Sequence, residues 1–314
     1  MHKIAYIFPG QGAQYVGMSR ELIEADSENV KYLEKFQERT GYDLADIILN
    51  GPEEKLKDTR FTQPAILFHS IAALKMWQKE IDIVPDFVAG HSLGEFSALV
   101  ANGVLELSDA MYLVHKRGEF MIKASEGMPY GMTAIIGLSP DMVTELCKKA
   151  SPAGIVIAAN FNTPVQTVIS GSQSGVEAAM KLAEEAGAKR IIPLVVGGAF
   201  HSPLVAKASI WLEEEMDKIK FSSTDIPVVA NVDAKPWTEI SQIKENLSRQ
   251  VSSSVRWVES VKYMSDSGVD RFIEFGPQKV LSGMLRKIDK QLKTFNIEKP
   301  EDIVNMINSI VNGE

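Results

Sequence analysis

The stretch Asp86-Phe87-Val88-Ala89-Gly90-His91-Ser92-Leu93-Gly94-Glu95 joins a short extended apolar run to a helical one that continues to Ala101. Its centre, Gly90 to Gly94, reads G-x-S-x-G. A serine on such a strand-to-helix turn is lifted out of the sheet, where a base and a substrate can reach it. The flanking glycines let backbone segments crowd there without a Cβ clash. A strand feeding directly into a helix is also the repeating unit of an α/β fold with a parallel sheet. A serine hydroxyl alone is a poor nucleophile, so the reading requires a base from elsewhere in the chain.

Outward from this turn, apolar strands alternate with amphipathic helices. The pattern predicts a first strand over Lys3–Phe8, a Gly-rich loop Gly10-Gln11-Gly12-Ala13-Gln14, and a helix near Met18 to Ile23. A further helix is expected from about Gln63 to Lys79, with Thr62 as N-cap and Pro64 in its first turn. Ser108-Asp109 would cap the next helix, reaching about Ala124. Between Gly131 and Val195 the rhythm changes. Met132–Leu138 reads as strand, Pro140–Ala150 as helix, and Ile155–Ala159 and Val165–Ser170 as strands joined by the polar turn Asn160–Pro164. Ser174–Ala186 reads as helix and Arg190–Val195 as strand. That order, βαββαβ, is the ferredoxin-like pattern. The expected fold is therefore α/β. A large α/β-hydrolase-like domain with a mainly parallel sheet (residues 1–126 and 198–314) carries an inserted ferredoxin-like domain (residues 127–197). The chain then resumes with helix Pro203–Lys218 and strands Pro227–Asn231 and Arg271–Phe275. It ends in a docking helix, Pro300–Val311, with Ile303, Met306, Ile307 and Ile310 on one face and Gly313 closing it.

Composition narrows the function. The 314 residues are 45% apolar and 24% charged, ordinary for a globular enzyme, and the net charge is −8. That balance argues against nucleic acid or an anionic membrane as the main partner. The single cysteine, Cys147, permits no intrachain disulfide and sits in a helical context that reads as buried and structural. Five histidines show no metal-ligand spacing, so no metal site is expected. No stretch approaches the roughly 18 apolar residues of a spanning helix, and a cytoplasmic protein is expected.

Among the histidines, His201 stands in Gly197-Gly198-Ala199-Phe200-His201-Ser202-Pro203. Ser202 reads as an N-cap and Pro203 as the first helical residue, so His201 occupies a loop at a helix mouth. There it can take the Ser92 proton and return it to a leaving group, or it can be a packing histidine. His2 is terminal, His69 reads as core, and His115 as half exposed. His91 should point away from the serine beside it. Arg117 falls on the apolar stripe of its helix, at i+3 from Val114 and i+4 from Leu113. A guanidinium facing a core needs an anion. The partner could be one of the chain's own acids, or a carboxylate brought by the substrate. The loop at Gln11 lacks the Gly-Lys-Ser/Thr of a P-loop and reads either as a plain turn or as a source of an oxyanion-binding amide beside that of Leu93. Nothing in the run around Gln250 marks that residue as catalytic.

Taken in order, these runs resemble the malonyl-CoA:acyl carrier protein transacylase family over nearly the whole chain. The resemblance is carried by Phe8-Pro9-Gly10-Gln11-Gly12-Ala13-Gln14, Gln63-Pro64-Ala65-Ile66, Gly90-His91-Ser92-Leu93-Gly94-Glu95 and Arg117-Gly118. It continues in Asn160-Phe161-Asn162-Thr163-Pro164, Gly198-Ala199-Phe200-His201-Ser202 and Glu274-Phe275-Gly276-Pro277. The resemblance implies Ser92 as the carrier of a malonyl ester and His201 as its base. It implies an oxyanion hole from the amides of Gln11 and Leu93, and Arg117 paired with the free malonyl carboxylate. Gln250 would orient His201 through its backbone carbonyl, and Asn160 and Asn162 would lie near the cleft. Phe200 is similar to the malonyl-selective members. Gln278 and Val165 depart from positions where glycine is more common. The implied partners are malonyl-CoA, as substrate rather than cofactor, and acyl carrier protein, with no cofactor and a monomeric enzyme. An acidic carrier protein calls for a basic patch, from Lys181, Lys189 and Arg190 or from Lys279, Arg286 and Lys287. A serine hydrolase could use the same Ser and His with water as acceptor, but no Asp/Glu triad motif accompanies them. A binder of carrier protein without activity would not need the two intact.

Overall fold

In the computed structural model, which describes residues 2–311, the apolar run Lys3–Phe8 forms strand β1 inside a six-stranded sheet. Phe87–Gly90 forms β2 parallel to it, with Phe8 opposite Gly90. The chain then leaves for a second sheet, built from β3 (Tyr130–Ile136), β4 (Val156–Thr163), β5 (Gln166–Ser172) and β6 (Arg190–Pro193). It returns to the first with β7 (Val228–Val229), β8 (Pro236–Trp237), β9 (Val269–Phe275) and β10 (Lys293–Ile297). The large sheet runs β10-β9-β1-β2-β7-β8, and all its pairings are parallel except β7 with β8. Helices cover both faces, so alternate residues of one strand serve different cores. Tyr6, Phe8 and Val88 join one apolar cluster, and Ala5, Ile7 and Ala89 the other.

The small sheet has the order β4-β5-β3-β6 and is antiparallel throughout. Helices Pro140–Ala150 and Gln173–Glu185 bury Val143, Leu146, Val176 and Ala179 against Ile135, Val156 and Ile169. Ser139 and Ser172 cap these helices with their side chains. This is the βαββαβ order expected, and it falls within residues 127–197. Cys147 is buried among these apolar side chains.

Several expectations need correction. The central helix begins at Thr59, capped by Asp58, and runs to Glu80. Thr62 therefore caps nothing; its hydroxyl donates to the Leu56 carbonyl. Pro64 sits inside the helix and has no N–H for the Arg60 carbonyl. His115 supplies the missing donor, with Nδ1 at 2.8 Å from that oxygen. That contact explains why His115 is 1% exposed rather than half exposed. Helix Leu107–Ser125 starts one residue before Ser108, and neither Ser108 nor Asp109 caps it; Asp109 pairs instead with Arg39 at 2.7 Å. Residues Asn160 to Thr163 are strand, not turn. Two backbone bonds explain the extension: Val255 N–H donates to Ala159 O (2.8 Å) and Phe161 N–H to Val255 O (2.9 Å). These bonds join the small sheet to the loop after Gln250. The stretch after Ser202 is a 3-10 turn, Pro203–Val205, and then helix Ala206–Met216. Helices Glu28–Thr40 and Leu44–Asn50 and the edge strand β10 had no counterpart in the sequence reading. In the last helix Ile303 and Met306 are buried; the side chain of Ile310, and Gly313, lie outside the described residues.

Candidate active site

Where β2 ends, the chain turns sharply and Ser92 takes a left-handed conformation, φ 53°. That conformation is costly for a residue with a Cβ and persists only where the surroundings impose it. Here they do. A Cβ on Gly90 would overlap the backbone of Gly94, and one on Gly94 would overlap the Phe8 carbonyl. The turn is therefore pressed against β1 as tightly as glycine allows. Asn231, at the end of β7, fastens it from the far side. Its Oδ1 accepts from the Ser92 N–H (2.7 Å) and its Nδ2 donates to the Gly90 carbonyl (2.7 Å).

The base is in reach. His201 also has a positive φ, 58°, and its N–H is held by the Val251 carbonyl. Ser125 Oγ accepts from Ala199 N–H, and Ser202 Oγ donates to Ala199 O, pinning the same loop. His201 Nε2 lies 2.7 Å from Ser92 Oγ. Its Nδ1 faces two carbonyls, Gln250 O at 2.9 Å and Ser253 O at 3.2 Å. Carbonyls only accept, so Nδ1 carries the hydrogen and Nε2 presents its lone pair to the serine. Arg117 Nη2 donates to the other side of Ser92 Oγ at 3.0 Å, which turns the hydroxyl hydrogen toward His201. Two backbone oxygens thus occupy the position an acid holds in a Ser-His-Asp triad.

Arg117 is 1% exposed, and among the described residues it forms no ion pair. Nη1 donates to Gln63 Oε1 (2.7 Å), Nη2 also donates to Gln250 Oε1 (2.9 Å), and Nε has no partner. The structure therefore does not give it one of the chain's own acids at contact distance. Burial lowers its pKa to about 10, offset by Glu95, so it stays charged at neutral pH. Burial, reinforced by the Arg117 charge, pushes His201 down to about 3.

These groups line a cavity of about 180 Å³ between the two sheets. Gln11, Leu93, Asn160 and Asn162 line it too, with Met132, Val168, Leu194 and Met284 as apolar wall. The amides of Gln11 and Leu93 have no intramolecular acceptor among the described hydrogen bonds, and that of Leu93 stands at the N-terminus of helix Gly94–Ala101. His91 does point away from Ser92; its Nε2 meets Asn162 Oδ1 at 2.8 Å and its ring packs on Trp257. The six residues expected at the site thus converge. Asn231, Glu95 and the role of Gln63 escaped the sequence reading. A glutamate directly before the run Phe96–Val100, and a glutamine directly before the run Pro64–Phe68, were the available signals.

The neutral imidazole is the form that can accept a proton, and a pKa depressed below 6.5 keeps that form as pH falls. The acid limb of kcat/KM is expected well below 6.5, with little loss down to about pH 5. Acylation rates of the free enzyme check this; a limb centred at 6.5 contradicts it.

The chain matches the acyl transferase domain family over residues 5–307. It is 45% identical over 304 residues to a malonyl CoA-acyl carrier protein transacylase of Bacillus subtilis (strain 168), covering 96% of each chain. The structure superposes on the malonyl CoA-acyl carrier protein transacylase of Coxiella burnetii with a TM-score of 0.94, at 36% identity over 98% of this chain and 97% of that one. It also superposes on a malonyl-transacylase solved in complex with its type II polyketide acyl-carrier protein, with a TM-score of 0.93 at 36% identity over 99% of each chain.

Proposed function

Because the chain belongs to the acyl transferase domain family and within it to the malonyl CoA-acyl carrier protein transacylases, we propose that it moves malonyl groups from malonyl-CoA to acyl carrier protein through an ester on Ser92, supplying fatty acid elongation. In the first half-reaction Ser92 Oγ attacks the thioester carbonyl while its proton passes to His201 Nε2. The negative charge that develops on the carbonyl oxygen is received by the Gln11 and Leu93 N–H groups. Collapse expels the CoA thiolate, which takes the proton back from His201. In the second half the carrier's phosphopantetheine thiol gives its proton to His201 and attacks the ester; collapse expels Ser92 Oγ, which takes that proton back from His201 Nε2, and the carrier leaves with the malonyl group. Gln250 O and Ser253 O stabilise the transient imidazolium through Nδ1.

The observation that carries this reading is a buried, charged Arg117 whose Nη2 lies 3.0 Å from the serine oxygen and whose Nε is free. Acylation of Ser92 withdraws one acceptor from Nη2. The Nε–Nη2 edge is then available for a carboxylate two carbons from the ester, gripped bidentately. The carrier protein of the complexed relative supports the same partner here. Lys181, Lys189 and Arg190 on the small sheet's side, and Lys279, Arg286 and Lys287 on the other, are exposed cations suited to an acidic carrier.

Malonyl-, methylmalonyl- and acetyl-CoA offered together, with the intact protein then weighed, test the proposal. The expected product is one adduct of about 86 Da, the malonyl ester, discharged by a pantetheine thiol. An acetyl adduct in excess, or discharge by water faster than by thiol, would overturn it.

A further inference from the structure

Glu95 takes no part in the chemistry above, yet it lies beneath it. It stands in the first turn of helix Gly94–Ala101 and is 2% exposed. A carboxyl group so placed needs partners. Its Oε2 accepts from Gln250 Nε2 at 2.7 Å and from the Asn231 N–H at 3.0 Å. Both donors lead back to the reacting atoms. Asn231 holds the Ser92 N–H. Gln250 holds Arg117. A guanidinium offers only hydrogens, so Gln250 must present Oε1 to it, and its amide nitrogen must find acceptors on the opposite side. It finds Glu95 Oε2 and the Ser92 carbonyl (3.0 Å). Glu95 therefore fixes which end of the Gln250 amide faces Arg117. It is also the acid whose charge Arg117 feels.

We propose that Glu95 is a positioning residue for carboxylate selection: through Gln250 it holds the Arg117 guanidinium against Ser92, and when ionised it competes with the substrate's carboxylate for that guanidinium. The inference rests on the malonyl-transfer reading.

The charged groups acting on Glu95 are Arg117, from helix Leu107–Ser125, and Asp233, from the turn after β7. His201, across Ser92, is neutral. Burial raises the Glu95 pKa from 4.5 to about 7, against hydrogen bonds and Arg117 that lower it. Below that pH Glu95 is neutral and Arg117 is uncompensated. Above it Glu95 is an anion, and a second carboxylate is admitted less readily. Malonyl binding at higher pH then requires Glu95 to take up a proton. Affinity for malonyl-CoA falls as pH rises through 7, and affinity for a thioester without a carboxylate does not.

The KM for malonyl-CoA and the competitive inhibition constant of acetyl-CoA, measured from pH 6 to 8.5 on the wild type and on Glu95→Gln, decide the matter. The two thioesters share their phosphates, so the ratio of the constants isolates the carboxylate. In the wild type that ratio is expected to worsen for malonyl-CoA by about threefold to tenfold across the range, a one-unit shift of the Glu95 pKa on binding being about tenfold. In Glu95→Gln, which keeps an acceptor toward Gln250 but no charge, the ratio is expected to stay flat across the same range. A pH-independent ratio in the wild type overturns the proposal even if the variant does not fold. An unchanged slope in Glu95→Gln overturns it, and so does an equal change for both thioesters, which marks a merely structural role. A wild type that forms no malonyl ester at all sinks the underlying reading instead, and the inference with it.

Discussion

Ser92→Ala is expected to leave no malonyl-enzyme and to lower transfer to carrier protein by about 10⁴–10⁶-fold, the range seen when the nucleophile of an acyl-transfer site is removed. The loss follows from the division of labour around one oxygen. His201 Nε2 and Arg117 Nη2 both address Ser92 Oγ, and neither can form the ester itself. Fold and binding should survive. The strained conformation at position 92 is imposed by Gly90, Gly94 and Asn231 rather than by the hydroxyl, and alanine bears it at the same cost as serine. The melting temperature and the affinity for CoA are therefore expected to stay near wild type. Two measurements separate the cases: intact mass after exposure to malonyl-CoA, and transfer rate to the carrier. An adduct of malonyl mass on the alanine variant would move the nucleophile elsewhere, and a variant that fails to fold would leave the turn, not the chemistry, as the role of Ser92.

Much of this site was legible because its parts are local. A serine between two glycines, after three apolar residues and before a helix, fixes a turn whatever lies around it. His201 was legible for a similar reason, since Ser202-Pro203 starts a helical turn and leaves the histidine at its mouth. The βαββαβ insertion was legible from periodicity alone. What could not be read was set by distant segments. Whether Asn160–Thr163 is turn or strand depends on Val255, almost a hundred residues on. The start of the central helix depends on Asp58, and its tolerance of Pro64 on His115. Gln250 carries no local mark because the carbonyl it turns to His201 is one every residue has, and its side-chain partners, Arg117 and Glu95, come from distant segments. Arg117 was the intermediate case. Helical spacing put it on a buried stripe, but whether a protein acid met it there was a question of tertiary geometry, and among the described residues none does.

Arg117→Ala is expected to lower kcat/KM for malonyl-CoA by about 10²–10³-fold, in line with the loss of one partner of a desolvated charge pair. The same change should leave acetyl transfer unchanged or raise it, because in the wild type an acetyl group leaves the guanidinium buried with no anion, and alanine removes that penalty. The preference for malonyl over acetyl thus collapses from both sides. A second effect has a different origin. The Arg117 charge is one of the causes that hold the His201 pKa near 3, after burial itself. Without it the imidazole is protonated more readily, so the acid limb of kcat/KM moves toward higher pH while remaining below 6.5. Gln63 and Gln250 each lose a donor to their Oε1, which costs some stability, but an unpaired buried charge disappears at the same time. Malonyl and acetyl transfer measured side by side from pH 5 to 8 read both effects in one experiment. An equal fall for the two acyl groups would mean that Arg117 serves only to turn the Ser92 hydroxyl toward His201, and that something other than this guanidinium recognises the carboxylate.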